Sequence, residues 1–100
     1  MPHSPLTEDE FRLLAYVRAY ADRREQHLSP PWIQEQLEFS LSQMQAAGRG
    51  LAAKGLAEFF EFTPPAELLR EHPEIVPGPT PADICLTKTG WDFLRHEREQ

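Results

Sequence analysis

Cysteine is nearly absent. Cys85 stands alone in 100 residues, which excludes an internal disulfide and any metal site built from several cysteines. It falls in a stretch that reads as a strand, and nothing near it in sequence supplies an activating base, so it reads as structural rather than reactive. Positive charge is also scarce: 10 Lys and Arg face 16 Asp and Glu, for a net charge of −6. Nucleic-acid binders usually carry a basic footprint, and the chain as a whole shows none. No apolar run is long enough to span a membrane, and no charged-then-apolar signal segment opens the sequence, so a cytoplasmic protein without membrane contact is expected. Enzyme signatures are missing as well. There is no HExxH, phosphate loop, dinucleotide fingerprint or nucleophile elbow. The histidines His3, His27, His72 and His96 lie far apart. Glu71, His72 and Glu74 read as a solvated loop rather than a metal site. No catalytic activity, cofactor or metal is expected.

What the chain does have is enough apolar content, 40%, for one small core, and a single domain over 1–100 is expected. The charge is uneven. Glu35 and Glu38 balance Arg49 and Lys54 between Leu28 and Ala57, whereas Glu58, Glu61, Glu67, Glu71 and Glu74 face Arg70 alone between Glu58 and Pro81. The middle of the chain is therefore its least acidic part.

That middle, Leu28 to Phe62, organises the rest. Ser29 can cap a short helix, with Pro30 at the first helical position, where a missing N–H costs nothing. Ile33 and Leu37 share a face, and Trp32 adds apolar area beside them. Ser40 and Gln43 form a capping box for a longer helix. Its buried face is Leu41, Met44, Gly48 and Leu51. Gly55 is the expected left-handed stop, with Leu56 closing over it. Gly48 and Gly50 each cost up to ~1 kcal/mol against alanine in a helix. Gly48 is expected to face the preceding helix, and nothing in sequence explains Gly50. A strand begins at Ala57, and alternation places Phe60 and Phe62 on one face, Phe59 and Glu61 on the other.

The first helix opens with a second capping box, Thr7 and Glu10, after a loose arm ending at Leu6, and is expected to run from Glu8 to Gln26. Leu6 and Phe11 are spaced as a hydrophobic staple. Arg18, Arg23, Arg24 and Glu25 read as a solvated face, with phosphate binding as the alternative. After Phe62, Thr63-Pro64-Pro65 ends the strand. Ala66 to Arg70 can form one helical turn, and Pro73, Pro77, Pro79 and Pro81 exclude regular structure. Asp83 to Thr87 is the returning strand, paired antiparallel with Glu58 to Phe62. A closing helix runs from Lys88 or Thr89 to Arg98, with Gly90 in close backbone packing. The expected core is Phe11, Leu14, Val17, Ile33, Leu37, Met44, Leu51, Leu56, Ile84, Leu86, Trp91 and Leu94.

The segments LSPPWIQEQL, LAAKGLAEFF and LTKTGWDFL, in that order, resemble the entry helix, the exit from the recognition helix and the link to the closing helix in the winged helix-turn-helix regulators of bacteria. The resemblance covers nearly the whole chain. It implies a mainly α, α/β domain: three helices, a two-stranded antiparallel wing with a long acidic proline-rich loop, and a closing helix. It further implies a transcription regulator that reads double-stranded DNA with helix 41–54, often as a homodimer through its terminal helices. Ser42, Gln45, Ala46, Arg49 and Ala53 then face the major groove, where Gln45 suits adenine and Arg49 suits guanine. Gln43, Lys54, Lys88 and Thr89 are candidate backbone contacts. The alternative is a protein-interaction module without DNA binding. Its acidic loop, Glu61 to Pro81, would meet a basic protein partner through Glu67, Glu71 and Glu74, with Leu68 and Leu69 as apolar anchors.

Overall fold

The computed structural model describes residues 6–23 and 26–98, with side chains through residue 94. The arm before Leu6, Arg24, Glu25 and the His96 side chain, named above, lie outside them. Helix α1 spans Glu8–Tyr20. Its capping box forms as expected: Glu10 N–H donates to Thr7 Oγ1 at 3.1 Å, and Thr7 N–H donates to Glu10 Oε1 at 3.0 Å. The helix stops short of Gln26. Ala21 is already extended, and Gln26 N–H turns back onto the Arg23 carbonyl at 3.1 Å. The cause is tertiary: Leu28 pairs with Ile84, exchanging two backbone hydrogen bonds of 2.8 and 3.2 Å. At 1.5 Å per residue, continued helix would carry Leu28 away from that partner.

The buried stripe of α1 is Glu10, Leu13, Leu14 and Val17. Phe11, expected in the core, is 40% exposed, whereas Leu13 is fully buried. The stripe set by Glu10 and Leu14 leaves Phe11 at its edge. Helix α2, Pro30–Leu37, buries Ile33. Ser29 makes no side-chain cap; Pro31 removes one of the two amides its hydroxyl could serve. Trp32 does not share the burial of Ile33. It lies edge-on to Tyr16 and Tyr20, at 5.5 and 5.7 Å between ring centroids.

The chain turns at Glu38, in the left-handed region (φ 58°). Phe39 fills the corner beneath the Arg12 guanidinium, 5.1 Å away. Helix α3, Leu41–Ala53, opens on the expected Ser40–Gln43 capping box and stops at Gly55, whose φ is +76°. Leu56 is buried over that stop and bonds back to the Leu51 carbonyl. The stripe facing the core is Met44, Ala47, Gly48 and Leu51. Leu41, expected inside, is largely exposed at the first position of the helix.

Strands β1 (Ala57–Phe62) and β2 (Thr80–Leu86) pair antiparallel, with Phe59 opposite Ile84. The register slips between Phe60 and Glu61, which face Asp83 and Pro81 and leave Ala82 as the extra residue. β2 thus starts earlier than expected and includes Pro81, whose missing N–H is tolerated at such an irregularity. It also ends before Thr87, whose hydroxyl donates to the Gly55 carbonyl and accepts from Gly90 N–H.

Between the strands, α4 (Ala66–Glu71) buries no residue. Helix α5, Lys88–Arg98, packs on α1 and β2. Gly90 is required there, since a Cβ would strike the Leu56 carbonyl. Trp91, Phe93 and Leu94 pack partly buried against the core. Arg18 is not a solvated residue: its guanidinium lies 3.7 Å from the Trp91 ring centre, and its Nε donates to the Trp91 carbonyl. Among the described residues the protein is a mainly helical α/β arrangement of five helices and one two-stranded antiparallel sheet. No described helix is long and apolar enough to cross a membrane.

Candidate nucleic-acid interface

Helical periodicity sorts α3 into two faces. Met44, Ala47, Gly48 and Leu51 are inside, while Ser42, Gln43, Ala46, Arg49 and Ala53 are exposed and Gln45 is half-buried. The glycines have specific neighbours. A Cβ on Gly48 would sit 2.5 Å from the Phe59 ring, so this glycine admits β1 and not the preceding helix. A Cβ on Gly50 would strike the Glu10 carboxylate. Sequence periodicity could not show either contact.

Glu61 lies on the strand face that alternation assigned it, with Phe59, and that face meets α3. Its carboxylate grips Arg49 by two parallel bonds: Nε to Oε1 at 2.8 Å and Nη2 to Oε2 at 2.9 Å. Gln45, one turn earlier, donates to Glu61 Oε2 at 3.1 Å and to the Pro79 carbonyl at 2.8 Å. The two residues expected to read bases therefore converge, on a carboxylate of their own chain. The bond from Arg49 holds the Glu61 carboxyl below its usual range, against the opposing effect of burial, with the Arg49 charge and Gln45 adding to the shift. The same bond raises Arg49, again against burial and with help from the Glu61 charge.

The remaining candidate cations are paired elsewhere. Lys54, at the end of α3, binds Glu10 of α1, a carboxylate with only 7% of its side chain exposed. Glu10 thereby closes the cap of α1, holds Lys54 and covers Gly50, a role its place in a capping box only half revealed. Lys88 pairs with Asp92 one turn along α5 at 3.3 Å. Lys88, Thr89, Asp92 and Phe93 line a cleft of about 300 Å³. Gln43 spends its Oε1 on the amide of Ser40 at 2.8 Å.

The alternative set lies in the connection between the strands. Glu67, Glu71 and Glu74 are exposed, and Leu68 and Leu69 are half-buried. His72 lies 3.3 Å from Glu74, both largely exposed. His27 meets Asp83 at 2.6 Å and stacks on Phe60. Phe60 and Phe62 are exposed, as alternation required. Comparison of the chain with protein-family models, curated proteins and solved structures finds no match.

Proposed function

We propose that the chain is a winged helix-turn-helix protein, and that α3 reads the major groove of double-stranded DNA as part of a small transcription regulator. The element order supports this: α1, α2, a tight turn at Glu38, α3, a hairpin, then α5. The observation that carries the reading is the outer face of α3. Ser42, Gln43, Ala46 and Arg49 stand exposed on a helix whose opposite side is fixed in the core, and a helix of this width fits the major groove. Alanine permits close approach and contact with thymine methyls, while Arg49 provides the fork for guanine. Lys88 and Thr89, exposed at the start of α5, serve as phosphate contacts. With a net charge of −6 the affinity of one copy is modest. A homodimer through α1, α5 or both supplies two half-sites one helical turn apart.

The test is selection of bound sites from random duplex DNA, repeated with Arg49→Ala. Loss of the guanine contact costs about 1–3 kcal/mol and relaxes one position of the motif. No enriched motif at low salt, or an unchanged motif and affinity in the variant, overturns the assignment. Sedimentation at micromolar concentration tests the dimer, and a species that stays at 11.5 kDa removes it.

One observation favours a second reading. Helix α4 buries nothing, and it presents Glu67 and Glu71 beside half-buried Leu68 and Leu69. That surface suits a basic protein partner, with charge steering the encounter. Replacing Glu67, Glu71 and Glu74 with Gln weakens capture of such a partner and leaves duplex affinity unchanged or raised. Unchanged partner affinity excludes it.

A further inference from the structure

We propose that Glu61 and the Pro79 carbonyl form an internal latch on the reading face of α3, occupying in the free chain the Gln45 amide donors and the side-on fork of Arg49 that duplex DNA would take. The inference rests on the DNA-binding reading and adds a regulation to it. A carboxylate that takes Arg49 through Nε and Nη2 fills the side-on fork of the guanidinium, one of the two donor pairs that guanine O6 and N7, or a phosphate, can use. Gln45 is committed in the same way. Its amide nitrogen has two hydrogens, and Glu61 Oε2 and Pro79 O accept both bonds. No donor is left for adenine N7, so the bidentate adenine contact is closed while the latch holds.

The latch belongs to the hairpin. Glu61 stands where the register slips, opposite Pro81, and Pro79 lies one residue before β2 begins. The two acceptors thus arrive on both arms of the hairpin, at the end where the long connection leaves it, and clasp α3 at positions one turn apart. Arg49 is half exposed, so the clasp exchanges for an outside acceptor without unfolding the core. When the duplex binds, Glu61 must also leave the approaching phosphates, which its charge repels.

Glu61→Gln removes the charge and keeps the shape. Expected is duplex binding about 3- to 10-fold tighter at low salt, from release of an exposed ion pair and of phosphate repulsion. On the random-sequence duplex the slope of log affinity against log salt should steepen by about one, because Arg49 is then free to neutralise a phosphate where no guanine is offered. Binding is measured with a labelled random-sequence duplex and with the sequences enriched by selection. Most of the gain must be lost when Glu61→Gln is made in an Arg49→Ala background, leaving only the part due to phosphate repulsion. Circular dichroism checks that the variants fold. If Glu61→Gln does not, Glu61→Asp, one methylene too short to reach Arg49, replaces it with the same expected direction but a smaller gain, because its charge remains. A variant that folds and binds the duplex as the wild type does overturns the latch and leaves the DNA reading standing. No binding by either protein at low salt overturns both. A gain undiminished by Arg49→Ala overturns the latch, since Glu61 then acts only as a stray negative charge.

Discussion

Replacing Gly50 with alanine should destabilise the protein, although alanine is the better helix former. The helix term alone favours Gly50→Ala by about 1 kcal/mol. The new methyl group, however, lands on the Glu10 carboxylate. Glu10 is buried, and its Oε1 serves both the Thr7 amide and the Lys54 ammonium. Moving that carboxylate weakens a cap worth about 1 kcal/mol. It also weakens a charge-assisted bond worth about 1.5 kcal/mol, the low end of its range because Lys54 is one-third exposed. The losses exceed the gain by about 1.5 kcal/mol, a fall in melting temperature of about 6–12 °C for a domain of this size. The sign should reverse once Glu10 is gone. In a Glu10→Ala background nothing opposes the methyl group, and Gly50→Ala should stabilise by about 1 kcal/mol. Urea unfolding followed by far-UV circular dichroism on the four proteins of this cycle measures the coupling directly. The same sign of Gly50→Ala in both backgrounds would refute the reasoning, because the carboxylate would then be shown to move aside without loss.

Three other outcomes follow from the packing and charge described above. Gly48→Ala should cost about 1–3 kcal/mol in the same unfolding assay, since its methyl group overpacks against the Phe59 ring; a stabilised variant would show that β1 yields freely. Arg18→Ala should cost about 1 kcal/mol through loss of the contact over Trp91, and tryptophan fluorescence should report a looser α5, whereas unchanged stability and emission would show that the contact holds nothing. Glu61 titrates below its usual range in the folded chain, so its contribution is complete above about pH 4.5 and disappears as pH falls through the lowered folded value. Glu61→Gln should therefore be less stable than wild type at neutral pH, with the two stability curves converging in acid; curves that stay parallel down to acid unfolding would contradict the pairing.

What the sequence disclosed was local chemistry. Thr7 with Glu10, and Ser40 with Gln43, gave the starts of α1 and α3 because a capping box is complete within four residues. Gly55 marked the end of α3 because only a nearby left-handed residue is needed to stop a helix. The antiparallel hairpin was legible from alternation on both strands. The end of α1 was not, because it is imposed by Leu28 pairing with Ile84, far along the chain. The same limit applies to the site. Periodicity correctly turned Arg49 outward, and alternation correctly turned Glu61 toward the face of Phe59. Neither could show that the hairpin crosses α3 at the height where these two side chains meet. Gly50 was opaque for a related reason: its neighbour belongs to α1, and a missing side chain reveals its cause only through what occupies the space.

The pairing of Leu28 with Ile84 also bears on how freely the connection 63–78 can vary. In most hairpins a tight turn sets the alignment of the two strands. Here that connection is too long and too rich in proline to do so. The alignment is instead anchored from outside, by Leu28 near the middle of β2 and by the Thr87 hydroxyl on the Gly55 carbonyl just beyond its end. Chain length between the strands is thus uncoupled from their register, and doubling it should cost only about 0.6 kcal/mol in closure entropy. The segment that carries α4 is the part of the molecule where insertions, grafted epitopes or natural length variation are absorbed without disturbing the helices.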